Sequence, residues 1–160
     1  MRLARLFAAL IVLGCAHSPA PPPGPRPLGS DASLVRGEAT LSVRFSYEVA
    51  TARSIALLVD LDAGGTGSVG AVEIAMVPEG FTVGGPARWT GEIAAGSGKQ
   101  LRFPLQVIAD KVARVTITHG IAGAPANDPV VFRFLVEDEE VRACQPSEEA
   151  CKEPGPSPTP

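Results

Sequence analysis

Few side chains in this sequence have the type and spacing that catalysis requires. The segment GSGK at 96–99 has the composition of a phosphate-binding loop. That loop requires glycine six residues before the lysine, where Ile93 stands, and serine or threonine after it, where Gln100 stands. Residues 96–99 are instead typical of a hairpin turn. No Gly-x-Ser-x-Gly motif occurs in the sequence. With neither a triad nor a metal cluster, we expect a protein that is not an enzyme.

Metal ligands are equally scarce. His119 is the one histidine in the region expected to fold, and it ends a predicted strand on the core-facing row. Because metal sites gather several ligands, we expect His119 to be partly buried with hydrogen-bonded nitrogens. Asp60 and Asp62, with Glu73, are the candidates for an irregular calcium site, although the acidic spacing of an EF-hand is missing. The alternative is a solvated turn. We predict no cofactor.

Charge argues against a nucleic-acid partner. The formal net charge is −3, and loss of Arg2 and Arg5 on export would leave 12 basic and 17 acidic side chains. No basic stripe offsets this balance, so polyanions are repelled on average. The acidic run EDEE at 137–140 is typical of a solvated segment, with a basic partner or calcium as the alternative.

The first 15 residues, MRLARLFAALIVLGC, are typical of an export signal. Two arginines precede an apolar run at 6–13, shorter than the about 20 residues that a spanning helix needs. The segment VLGC at 12–15 resembles the lipobox of bacterial lipoproteins. This resemblance implies a signal peptide at 1–14, lipidation of Cys15 with fatty acyl chains such as palmitate, and, through Ala16, anchoring in the outer membrane. The alternative is an ordinary secretory signal with a chance cysteine.

Proline dominates the residues after Cys15, and residues 15–29 are predicted to be a lipidated tether. Polyproline II at about 3 Å per residue places the folded domain roughly 30 Å from the membrane. With Cys15 lipidated, Cys144 and Cys151 remain as a pair in an oxidising compartment, and we expect a disulfide. Their spacing matches neither C-x-x-C chemistry nor a zinc knuckle, the two alternatives. Residues 145–160 are predicted to be a disordered tail.

Between these ends, residues 30–144 are predicted to form one antiparallel β-sandwich of about seven to nine strands. Residues 37–50 alternate apolar and polar side chains, and residues 54–61 are nearly all apolar, as expected of a central strand. Further strands are predicted at 69–77, 81–83, 89–93, 101–109, 112–119 and 130–136. Pro104 falls on an outward row, which indicates an edge strand or a bulge.

The segment from 76 to 107 contains VPEGFTVGG, RWTGEI and a glycine-rich turn before an alternating strand. It resembles immunoglobulin-like and fibronectin-III-like domains of bacterial surface proteins. The resemblance implies an immunoglobulin-like sandwich that serves as a spacer, adhesion or assembly module, without catalytic residues. The Cys…Trp…Cys pattern of antibody domains is absent from the sequence.

Two interpretations of function follow. The first is a lipid-anchored envelope module that binds another protein, for which an exposed edge strand such as that of Pro104 offers a docking edge. The second is a carbohydrate- or cell-wall-binding lipoprotein. Sugar binding relies on exposed aromatic rings, and Trp89 is the single tryptophan, which we expect to lie in the core. The sequence does not determine the partner or the oligomeric state.

Overall fold

The computed structural model describes residues 24–124, 127–137, 140–145 and 147–152. In these ranges the regular structure is β-strand, apart from a 3₁₀ turn at Glu149–Cys151. The strands are β1 (Arg26–Pro27), β2 (Ala32–Arg36), β3 (Ala39–Thr51), β4 (Ser54–Gly65), β5 (Ala71–Glu79), β6 (Phe81–Val83), β7 (Arg88–Glu92), β8 (Gly98–Val107), β9 (Val112–Ile121), β10 (Val130–Glu137) and β11 (Glu140–Ala143). The predicted all-β class is confirmed. Within the same ranges, no helix is long and apolar enough to cross a membrane.

The strands form two antiparallel sheets. The first sheet has the order β1-β3-β4-β8-β6, with β2 also paired to β3, and the second has the order β11-β10-β9-β5-β7. From β4 to β9 the chain changes sheet at every connection. The predicted sandwich is therefore confirmed, with β4 central as expected. The described residues hold eleven strands rather than seven to nine, because β1, β2 and β11 are short edge strands with little room for alternation.

Period-two alternation places one row of each long strand between the sheets. Leu41, Val43, Phe45 and Tyr47 on β3 are all at most 3% exposed, whereas the residues between them face outward. Phe134 packs edge-on against Tyr47 and Phe81, with ring centroids 5.4 and 5.6 Å away. Aromatic pairs in this arrangement stabilise a core beyond their buried area, so this cluster fixes how the two sheets pack.

The N-terminal boundary of the sandwich lies earlier than residue 30. Arg26 pairs with Tyr47 and Pro27 pairs with Ser46, inside the segment that the sequence assigned to the tether. The Leu28 N–H donates to the Phe45 carbonyl at 3.0 Å, and the Leu28 side chain packs against the core. Pro27 is tolerated because β1 is an edge strand, where a missing N–H breaks no ladder between two strands.

The pairing of β1 shows at which end of the sandwich the N-terminal segment enters. β1 pairs with the carboxyl-terminal part of β3, beside the β3–β4 turn at Ala52 and Arg53. We call this the near end. The far end carries the β2–β3 turn, the β4–β5 and β7–β8 connections and the start of the β9–β10 loop. At this end, the Arg36 guanidinium donates to the carbonyls of Val69 and Ala122 at 3.4 and 3.3 Å, and so links the β4–β5 and β9–β10 connections.

Candidate functional site

The two cysteines outside the signal region meet at one side of the sandwich. The Sγ atoms of Cys144 and Cys151 are 2.03 Å apart, as in a disulfide, and their Cα atoms are 5.9 Å apart. Cys144 follows β11, and its N–H donates to the Arg133 carbonyl of β10 at 2.8 Å. Cys151 is 7% exposed and ends the 3₁₀ turn. Residues 147–152 thus form an ordered turn, so the predicted disordered tail does not begin at residue 145.

A carboxylate lies beside this disulfide. Glu148 Oε2 accepts from the Gln145 N–H at 2.7 Å and is 3.8 Å from Cys151 Sγ. Its other oxygen binds the Arg142 guanidinium at 2.6 Å. The hydrogen bond from Arg142, and then that from Gln145, lower the pKa of Glu148, so this carboxylate stays ionised at neutral pH. We call Cys144, Glu148 and Cys151 the C-terminal clasp.

The C-terminal clasp faces a groove between the sheets. All three clasp residues line it, together with Leu28, which follows β1, Phe132 of the second sheet, and Lys152. The groove has a volume of about 350 Å³. Among the described residues, the clasp is the one group of three His, Cys, Asp or Glu side chains whose ligand atoms lie within 4.8 Å of one another. In the disulfide form both sulfurs are bonded to each other, so the clasp acts as a crosslink.

His119 is buried, as the sequence predicted, but its environment is not the expected one. The side chain is 6% exposed, and its ring centroid lies 6.2 Å from that of Phe45 in the core. Among the described residues no group bonds its Nδ1, so the expectation that both nitrogens are hydrogen-bonded is not met there. Burial lowers the pKa of His119, which keeps the imidazole neutral at pH 7.

The backbone around His119 forms a second groove, at the far end. Asn127 donates to the His119 carbonyl at 3.2 Å, and Glu73, Ile121 and Ala122 complete the wall. The volume is about 370 Å³. The groove offers carboxylate, amide and backbone groups to a ligand. We call it the far-end groove.

The three carboxylates proposed for calcium do not converge. Asp60 and Asp62 lie on the outer face of β4 in the first sheet, whereas Glu73 lies on β5 in the second. Asp60 Oδ1 accepts from the Gln100 amide at 2.8 Å, and Glu73 pairs with Arg88 at 3.0 Å. Calcium needs six or more oxygens, and this arrangement does not assemble them. In the acidic run at 137–140, Glu137 also has an ion-pair partner, Arg142, at 3.4 Å.

Trp89 packs against the border of the core, whereas the sequence led us to expect it inside the core. It is half-buried on β7, an edge strand, and its ring covers Gly91 on the same strand. The Lys99 ammonium sits 4.9 Å from the ring centroid. Gly96 lies in a turn, as predicted, whereas Gly98 and Lys99 already begin β8. This turn connects β7 to β8 across the two sheets, so it is not a hairpin. Lys99 therefore covers a tryptophan and has no phosphate-loop geometry.

Pro104 occupies the edge position that the sequence indicated. β6 pairs with β8 only from Leu105 to Val107. Among the described strands, the part of β8 before Pro104 therefore pairs with β4 alone. The Gly84 N–H donates to the Pro104 carbonyl at 2.9 Å. Proline and the exposed Lys99 and Arg102 on this stretch are features that disfavour pairing with another strand. This edge is accordingly a poor docking edge.

The predicted lipidation residue, Cys15, lies outside the described residues. Sequence reasoning missed Glu148 and Arg142, since no motif marks a carboxylate four residues after a cysteine. No protein-family model, curated protein or solved structure matches this chain.

Proposed function

We propose that this chain is a lipid-anchored, non-catalytic module of the bacterial cell envelope that binds another protein. Three features support the proposal: the lipobox-like segment at 12–15, the proline-rich segment after it, and the sandwich that follows. The resemblance of residues 76–107 to immunoglobulin-like domains of bacterial surface proteins favours an assembly or adhesion role. By the sorting rule for Ala16, the outer membrane is the proposed location.

The observation that carries the proposal is the direction of the sandwich. Because the chain joins β3 near the β3–β4 turn, a tether from Cys15 holds the near end toward the membrane. The far end then points away from the lipid, and the far-end groove opens there. A protein partner therefore meets the far-end loops first. Ala122 lies exposed in this groove, and Ala52 lies exposed at the opposite end.

A carbohydrate-binding function is the alternative, and the setting of Trp89 weighs against it. Sugars stack on an open aromatic face, yet the Lys99 ammonium lies over this ring and the ring packs over Gly91. Tyr47 is 3% exposed and offers no platform either. A sugar at Trp89 would first have to displace Lys99 and its cation–π contact.

The lipid anchor is tested by metabolic labelling with a palmitate analogue. We expect label on the wild-type protein and on a Cys144→Ser, Cys151→Ser variant, and loss of label in Cys15→Ala. Label that persists in Cys15→Ala would refute the lipoprotein assignment. The double serine variant is the matched control, because it removes the other two cysteines and leaves Cys15.

The partner surface is tested by crosslinking in the native envelope followed by purification in mild detergent. We expect one stoichiometric partner with the wild-type chain, reduced recovery with Ala122→Arg at the far end, and normal recovery with Ala52→Arg at the near end. Both changes add the same side chain at an exposed alanine. Equal recovery with both variants would refute the far-end surface, and a chain that crosslinks to nothing would refute the binding function.

A further inference from the structure

We propose that the C-terminal clasp, once its disulfide is reduced, is a binding site for a thiophilic divalent cation such as Zn²⁺, held by Cys144, Cys151 and Glu148. This site is independent of the function proposed above. Three observations lead to it: the spacing of the three ligand groups, the support of Glu148 by its neighbours, and the groove in front of them.

The disulfide and the turn together place the ligand groups in this structure. The ligand atoms of the three residues lie within 4.8 Å of one another, and the cysteine Cα atoms are 5.9 Å apart. Backbone hydrogen bonds hold the turn: the Glu148 N–H donates to the Gln145 carbonyl at 3.0 Å, and the Cys151 N–H donates to the Glu148 carbonyl at 3.1 Å. These bonds do not involve sulfur, so opening the disulfide breaks none of them directly.

Two thiolates and one carboxylate are ligands that Zn²⁺ accepts, and a water completes four-coordination. The groove of about 350 Å³ in front of the clasp leaves room for that water. The charges also fit. Three anionic ligands exceed the charge of a divalent cation by one, and Arg142 supplies a positive charge 2.6 Å from Glu148. A cation bound in this way would hold Cys144 and Cys151 together in the absence of the sulfur–sulfur bond.

The reductive step balances with a dithiol as reductant. The two dithiol sulfurs form a new disulfide, the Cys144–Cys151 bond breaks, and the two dithiol protons end on the freed sulfurs. Binding of the cation then displaces both protons, so affinity rises with pH. In the oxidised chain no thiolate is present, and the site does not form.

The test uses the full chain carrying Cys15→Ala, so that Cys144 and Cys151 supply the only thiols. The protein is reduced with a dithiol, freed of reductant without oxygen, and titrated with Cd²⁺ while ultraviolet absorption is recorded. We expect a sulfur-to-cadmium charge-transfer band that saturates at one equivalent and is removed by Zn²⁺. We expect no such band in the oxidised chain or after Cys144→Ser. A reduced chain without the band would refute the site.

The role of Glu148 is tested with two matched variants. We expect Glu148→Gln to weaken Cd²⁺ binding by about tenfold or more, and Glu149→Gln to leave it unchanged. Glu149 is next in the chain, but its carboxylate is 84% exposed and pairs with Lys152. Equal affinity in the two variants would remove Glu148 from the ligand set.

A loosened turn would also weaken binding, and Arg142→Gln separates this effect from ligation. This variant removes the ion pair that supports Glu148 and keeps all three ligands. If Glu148 binds the cation, Arg142→Gln retains most of the affinity. If Arg142→Gln loses as much affinity as Glu148→Gln, the carboxylate acts only through the turn and the proposed three-ligand site is wrong.

Discussion

The contact between Trp89 and Gly91 makes a quantitative prediction. A Cβ added at Gly91 would lie 2.5 Å from Trp89 Cζ2 and 3.1 Å from Cη2. Non-bonded carbon atoms pack at about 3.5–4.0 Å, so Gly91→Ala forces the indole ring to move by roughly 1 Å or more. Overpacking of this kind costs about 1–3 kcal/mol in the free energy of unfolding. At about 4 °C per kcal/mol, the Tm falls by roughly 4–12 °C.

The assay is urea and thermal unfolding followed by tryptophan emission, since Trp89 is the single tryptophan. We expect Gly91→Ala to unfold at lower urea and to emit at longer wavelength in the folded state, because the displaced ring meets more water. Gly85→Ala is the control, as no atom of the described residues lies within 4 Å of an added Cβ there. In a Trp89→Leu background, followed by circular dichroism, Gly91→Ala becomes nearly neutral. Unchanged stability and emission in Gly91→Ala would refute the packing argument.

Three further predictions concern buried polar groups and the crosslink. Burial depresses the pKa of His119 below 6.5, so on acidification the unfolded chain binds a proton before the folded chain does. The stability is therefore complete above pH 6.5 and falls as the pH drops toward the folded pKa. Urea unfolding measured from pH 7 to 5 should show a smaller loss of stability in His119→Leu than in the wild type. Tyr47→Phe removes the acceptor of the Ala143 N–H, 3.1 Å away, and should cost about 1–3 kcal/mol in chemical unfolding, whereas no change would show that water replaces it. Serine at both Cys144 and Cys151 should cost about 2–3 kcal/mol in metal-free buffer, and an equal Tm with and without the disulfide would contradict this.

The sandwich itself was predictable because its signal is local. Alternation along residues 39–49 requires only that one face be buried, and β3 buries that face. The apolar residues 54–61 likewise indicated a central strand, since only a strand flanked on both sides buries outward residues such as Ala56 and Leu58, at 1% and 0% exposure. Arg102 and Glu48 pair across the outer face of this strand, from its two neighbours, and help to cover these residues.

The short strands were not predictable from alternation, because pairing with a distant segment creates them. Arg26 and Pro27 belong to a proline-rich segment that is typical of a tether, yet Ser46 and Tyr47 offer them a free sheet edge. A two-residue strand has no periodicity to detect. This strand forms because β3 extends beyond the part that pairs with β2. The lengths and order of the strands are known only from the three-dimensional structure.

The partners of polar side chains depend on strand order in the same way. Asp60 and Glu73 are 13 residues apart on consecutive strands, which made a shared site plausible. The chain changes sheet between β4 and β5, so the two carboxylates lie on different sheets, and Gln100, forty residues away, becomes the neighbour of Asp60. In a sandwich, consecutive strands are often not neighbours, and a cluster inferred from nearby sequence is reliable only within one turn. The C-terminal clasp lies within eight positions of one turn, and there the sequence predicted the pairing of the two cysteines, although it did not mark Glu148.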